Sequence, residues 1–159
     1  MKIDLITVGK IKETFYRDAI QEYTKRLSKY CKIDIIEVPD EKTPDNASIL
    51  VEQQIKEKEG NRILGKLSSD SYVIALAIEG KNPDSVELSS MIDSLGIGGV
   101  SHIQFIIGGS LGLSPEVLKR ADYKLSFSRM TFPHQLMRVI LLEQLYRAYR
   151  IMHNEPYHK

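Results

Sequence analysis

Short runs of β-branched and apolar residues alternate along the chain with longer segments in which apolar residues recur every three or four positions. The runs cover residues 3–8, 32–38, 72–78, 102–107 and, more briefly, 123–127, each bounded by turn-forming residues. Between them, residues 13–29 place Phe15, Ala19, Tyr23 and Leu27 four apart, and residues 47–67 set Ile49, Val51, Ile55, Ile63 and Leu64 among charged neighbours. Period two marks strands and period 3.6 marks helices. Their alternation predicts an α/β domain with a mostly parallel sheet between helices on both faces. The third and fourth runs are apolar on both sides, which predicts interior strands. The only linker-like stretch is Pro39 to Asn46, and no repeat interrupts the pattern, so residues 1–159 read as a single domain.

A last helix is predicted over residues 133–154, and its apolar surface is broad. Met137, Leu141, Leu145, Ala148 and Met152 form one stripe, while Leu136, Val139, Ile140, Leu142, Tyr146 and Tyr149 extend it around the cylinder. Glu143, Arg147, Arg150 and Asn154 make the only continuous polar strip. Such a helix buries more than one face. Either the monomer covers it entirely, or a second copy packs on it across a two-fold axis, giving a homodimer.

Composition narrows the setting. A lone Cys31 forms no internal disulfide, and neither a signal segment nor an apolar run of membrane-spanning length is evident, so a cytoplasmic location away from membranes is expected. No Cys/His cluster has metal-ligand spacing, so no metal is expected. The formal charge of +1 divides unevenly: residues 114–159 carry +4 and the preceding residues −3. A basic third can face phosphates, although ordinary solvated surface gives the same count.

Ligands of open α/β sheets gather beyond the carboxyl ends of the strands. Val8-Gly9-Lys10-Ile11 after the first strand lacks the glycine spacing of a dinucleotide fingerprint, and no P-loop is present. Glycine is concentrated after the fourth strand, in Gly108-Gly109-Ser110-Leu111-Gly112-Leu113-Ser114-Pro115. Ser114 with Pro115 is a good helix start. After the fifth strand, Ser126 to Gln135 mixes hydroxyls, an arginine and apolar residues, a composition suited to a ligand with polar and apolar parts. Plain strand-to-helix connections would also satisfy both patterns.

The run IIGGSLGLSPEV from Ile106, the segment SFSRMTFPHQLMRVILLEQLYRAYRI and the closing PYHK resemble the RlmH family, large-subunit ribosomal RNA methyltransferases acting on N3 of a pseudouridine. The amino-terminal IDLITVGKIK and Gly80-Lys81 fit the same family, so the resemblance spans the chain. It implies a SPOUT (α/β-knot) fold with a C-terminal trefoil knot, S-adenosyl-L-methionine as cofactor, and ribosomal RNA in the large subunit or the assembled ribosome as partner, with no part for DNA. It also implies cofactor contacts at Leu76, Gly108, Phe127, Ser128, Arg129, Met130, Thr131 and Phe132. Within that frame, Leu76 and Phe127 would cover the adenine faces, and Gly108 would leave room for close approach of the ligand.

Methyl transfer from a sulfonium needs chiefly placement of the nucleophile. Arg129 is the candidate to stabilise an imide anion, and His134, Tyr157 and His158 are candidates to accept its proton. The tail Tyr157-His158-Lys159 is expected to contact RNA rather than cofactor, against the plainer expectation of a frayed end. The competing function is a non-catalytic ribosome or RNA-binding module, which would need no cofactor.

Overall fold

The computed structural model describes residues 1–159 and places every strand where the alternating runs lie. In chain order the elements are β1 (Lys2–Val8), α1 (Thr14–Leu27), β2 (Lys32–Val38), α2 (Ile49–Leu64), β3 (Tyr72–Lys81), α3 (Ser85–Ile97), β4 (His102–Ile107), α4 (Pro115–Arg120), β5 (Tyr123–Leu125) and α5 (His134–Met152). The strands form one parallel sheet in the order β2-β1-β4-β3-β5, so the third and fourth runs are interior as expected. No helix is long and apolar enough to cross a membrane.

Period-two alternation gives the sheet two apolar faces. Ile3, Leu5, Ile74, Ile103, Phe105 and Ile107 point to one face and pack with Leu27 of α1, Leu88 and Ile92 of α3, and Leu141 and Leu145 of α5. Ile6, Val8, Val38, Val73 and Ile106 point to the other and meet Ile63 of α2 and Val117 of α4. Connections that run one way across the sheet carry their helix on the first face, and those that run back carry it on the second. This is the arrangement that uniformly right-handed crossovers produce.

Helix α3 was not among the helices that periodicity marked. Its Ser85–Ile97 sequence sets Leu88, Met91, Ile92 and Leu95 at helical spacing among serines, and Leu88, Ser89 and Ile92 are buried. A second signal lies at its start, where Asp84 and Glu87 form a reciprocal capping box. Ser48 and Ser114 cap α2 and α4, the latter with Pro115 in the first turn as expected.

Two strands end differently from the expected bounds, and both differences shape the site. β3 continues to Lys81, with a bulge that sets both Leu76 and Lys81 against Leu125. β5 stops at Leu125, because the Ser126 N–H turns to the Lys81 carbonyl at 2.7 Å while Asn82 Nδ2 donates to the Ser126 carbonyl at 2.7 Å. Gly80 makes this approach possible: a Cβ there would stand 2.6 Å from the Lys124 carbonyl oxygen.

α5 is anchored over the strand ends by Arg138, which is 1% exposed. Its guanidinium donates to Glu37 Oε2 at 2.8 Å, to the Val8 carbonyl at 3.0 Å and to the Gly9 carbonyl at 2.9 Å. Burial pulls its pKa down, and Glu37 opposes that pull. Replacing Arg138 with Met should leave two strand-end carbonyls without donors and cost at least about 2 kcal/mol. Urea unfolding measures this; a loss below about 0.5 kcal/mol, the scale of an ordinary surface change, would refute the anchoring role.

Candidate cofactor site

Because the sheet is parallel, the ends of β3, β4 and β5 open on the same side, and a cavity of about 640 Å³ lies among the segments that follow them. Its size suits a small-molecule ligand. The bulged end of β3 contributes Leu76, Ala77 and Ile78; the turn after β4 contributes Gly108 to Leu113; and Ser126 to Ser128 with Met130 to Pro133 close the third side, with His134 and Met137 of α5 behind. A bulge beside a site commonly re-aims side chains, and here the bulge turns Ala77 and Ile78 into the wall.

The turn after β4 is tight. Gly112 has φ +88° and donates its N–H to the Gly109 carbonyl at 3.1 Å. Gly108 is required for a reason other than the one expected from sequence. A Cβ at Gly108 would meet Leu113 Cδ2 at 2.9 Å and the Gly112 carbonyl carbon at 3.0 Å, so the turn itself fills that space.

Of the eight anticipated cofactor contacts, Leu76, Gly108, Phe127, Ser128, Met130, Thr131 and Phe132 line the cavity, and Arg129 does not. The Ser128 hydroxyl accepts from the Met130 N–H at 3.0 Å, and in that local turn Arg129 is exposed and has no ion-pair partner. An apolar wall with glycine backbone and a few hydroxyls fits a ligand that joins a flat heteroaromatic base to a polar chain.

Among the residues anticipated for chemistry, only His134 is on the wall, and it is the only titratable side chain there. Burial, and after it the nearby Arg138, hold its imidazole below the ordinary 6.5, with Asp40 opposing in part. Near neutral pH the ring is therefore uncharged and can accept a proton.

Tyr157 and His158 lie elsewhere in the same chain. At the end of α5, Asn154 takes φ +53°, its N–H reaches the Ile151 carbonyl at 3.1 Å, and the Glu155 N–H reaches the Arg150 carbonyl at 2.9 Å. This Schellman turn folds the tail back along the helix. The Tyr157 hydroxyl donates to Glu143 at 3.0 Å, its ring meets Tyr146 edge-on at 4.9 Å, and the Arg147 guanidinium lies 4.8 Å above it. Burial, with the Glu143 bond, pushes the phenol up to about 12. His158 Nδ1 pairs with Arg147 at 3.0 Å. The tail is held, not frayed. From His134 to Glu143 the helix advances about 14 Å at roughly 1.5 Å per residue, so a tail seated at Glu143 does not line its own cavity.

Parallel strands ending in three loops around one cavity, with the last helix laid across them, match a known class. Residues 1–158 fit the family model described as predicted SPOUT methyltransferase, and the chain belongs to that family. Its members use S-adenosylmethionine as methyl donor; membership also implies the trefoil knot. The chain is similar over 100% of its own length and of theirs to three proteins bearing the name ribosomal RNA large subunit methyltransferase H. The one from Bifidobacterium adolescentis is 67% identical, that from Clostridium botulinum strain Hall 64%, and that from Clostridium perfringens strain 13 is 62%.

Replacing Gly108 with Val should displace Leu113 and the Gly112 backbone and weaken S-adenosylmethionine binding by at least roughly tenfold, with secondary structure retained. Calorimetric affinity equal to that of the unmodified protein would show that the turn tolerates the displacement.

Proposed function

We propose that the chain methylates N3 of a pseudouridine in 23S ribosomal RNA of the large subunit, with S-adenosylmethionine as donor, as a cytoplasmic homodimer in which residues 1–159 act as one SPOUT domain. The observation that carries this reading is the meeting of three strand-end segments, remote in sequence, around one cavity that includes seven of the eight anticipated cofactor contacts. The name shared by the relatives supports ribosomal RNA as the substrate class.

The cofactor supplies a methyl group already activated for in-line transfer. The protein is left to hold, to orient and to manage one proton. Leu76 and Phe127 provide apolar surfaces for the adenine, and the backbone groups of the turn after β4 read its edge. His134, neutral and facing the cavity, takes the N3 proton of the imide. Arg129, exposed on the wall-forming segment and free of ion pairs, turns toward the anion left on the base.

Dimerisation is supported by the outer surface of α5. Leu136, Val139 and Ile140 are only half-buried there, in line with Glu143, Arg147 and the tail residue Tyr157. A second copy on that surface brings its own Tyr157 and His158 toward the first copy's cavity, which resolves their distance from the cavity of their own chain.

Methyl transfer to ribosomes, to free ribosomal RNA and to RNA lacking pseudouridine tests the function: transfer is expected only where pseudouridine is present. A protein that binds RNA but no S-adenosylmethionine would instead be the non-catalytic module. Because His134 titrates below 6.5, transfer should hold at neutral pH and fall only as pH drops through that lowered pKa. The acid limb should disappear in His134→Gln; an unchanged profile would remove His134 from the mechanism.

The shared site has its own test. Deleting Tyr157–Lys159 should reduce transfer by at least roughly 100-fold with cofactor affinity retained. Mixing the deleted chain with His134→Gln protein should then restore activity, since a mixed dimer holds one cavity with an intact His134 and the partner's intact tail. No recovery on mixing would place each tail at the cavity of its own chain.

A further inference from the structure

The glycine-rich turn that walls the cavity is seated on two consecutive residues of α2, neither of which is among the anticipated cofactor contacts. Glu59 is 5% exposed. Its Oε2 accepts the Glu41 backbone N–H at 2.9 Å, and its Oε1 stands 3.1 Å from where a Cβ on Gly109 would lie, with Val8 Cγ1 at 3.3 Å from the same point. At Gly60 a Cβ would collide with Ser114 Oγ, the hydroxyl that caps α4, and would press on Val117. Both ends of the segment from Gly109 to Ser114 therefore rest on one turn of α2.

The seat is itself braced. Arg62 donates to the Pro39 carbonyl at 2.9 Å and to Glu41 at 3.2 Å, and Lys58 pairs with Glu41 at 3.6 Å. Glu59 has no ion pair of its own, so its burial costs free energy that an apolar side chain of similar size would not incur. Burial pushes its acid up from the usual carboxylate range, and Asp40 and Glu41 push the same way; the Glu41 amide and Arg62 oppose. A group retained against that cost, with one oxygen bonded to a loop and the other packed on the backbone of the cavity wall, has a positional task.

We propose that Glu59 is a positioning residue for the cofactor, bridging the Glu41 amide to the Gly109 backbone and so setting the height of the glycine turn against the cavity. The proposal rests on the reading of that cavity as the S-adenosylmethionine site. It requires Glu59 and Gly109 to act as a unit, which a carboxylate that merely holds the Glu41 loop would not.

Calorimetric titration of the full chain with S-adenosylmethionine tests it. Glu59→Ala should weaken binding roughly tenfold, and Glu59→Gln, which keeps the shape and the acceptor, should recover most of that loss. Gly109→Ala should also weaken binding, because its Cβ presses on the carboxylate. The double variant should bind at least about threefold better than independent losses would give, since removing the carboxylate makes room for the new methyl. If Glu59→Ala does not fold, Glu59→Asp combined with Gly109→Ala carries the test: withdrawing the carboxylate by one methylene should recover affinity lost to Gly109→Ala alone. Unmodified protein that binds no S-adenosylmethionine overturns the site reading and this proposal with it. Unmodified protein that binds, alongside a Glu59→Ala variant of equal affinity or strictly multiplicative losses in the double variant, overturns the proposal alone.

Discussion

The geometry of the site depends on a buried guanidinium. Arg138 projects from α5 to the ends of β1 and β2 and satisfies the carbonyls of Val8 and Gly9, groups that a parallel sheet leaves without strand partners where the chain turns away. Three charge-assisted hydrogen bonds offset a large desolvation cost only if the helix sits at one height over the strand ends. That height also places His134, one turn earlier, and Met137 at the back of the cavity. Arg138 thereby joins packing to chemistry, since its charge adds to the burial that holds the His134 imidazole below its ordinary pKa.

A second constraint operates where backbones nearly touch. The end of β3 bulges, and Gly80 lies so close to Lys124 that no side chain fits between them. The loop leaving β5 is tied there to the connection that leads into α3, through Ser126 and Asn82. Two of the cavity walls are thus fastened to each other as well as to the sheet, and the third, the glycine turn, rests on α2. A ligand that contacts all three meets a preformed shape and spends little of its binding energy on ordering the protein.

The strands and the long helices were legible because their apolar residues keep a period of two or of 3.6; α3 carries the same signal in Leu88, Met91, Ile92 and Leu95 and in its Asp84–Glu87 cap, though it is short and interspersed with serines. The turn at Gly108 was recognisable as a site, but the cause of its glycine was not, since Leu113 comes to lie against it only after the turn closes. Arg129 and the tail illustrate the other limit. Their residue types fitted the chemistry, but the local Ser128 turn and the Schellman turn at Asn154 decide where they stand. Glu59 carried no sequence signal at all: an acid in a helix full of acids and lysines is ordinary until the fold brings it under Gly109.

The C-terminal third looked basic when counted along the chain, and folding changes what that count means. Arg120, Arg138, Arg147 and Arg150 are each paired with a carboxylate, so Lys119, Lys124, Arg129 and Lys159 are the cations there without an ion-pair partner. Each phosphate neutralised on a polyanion releases about one condensed counterion, and the number of free cations sets how steeply affinity falls with ionic strength. A surface so economical in unpaired charge gains little from loose attraction to any polyanion. With four unpaired cations, the affinity of this third for a polyanion should fall less steeply with salt than its count of eight basic residues implies.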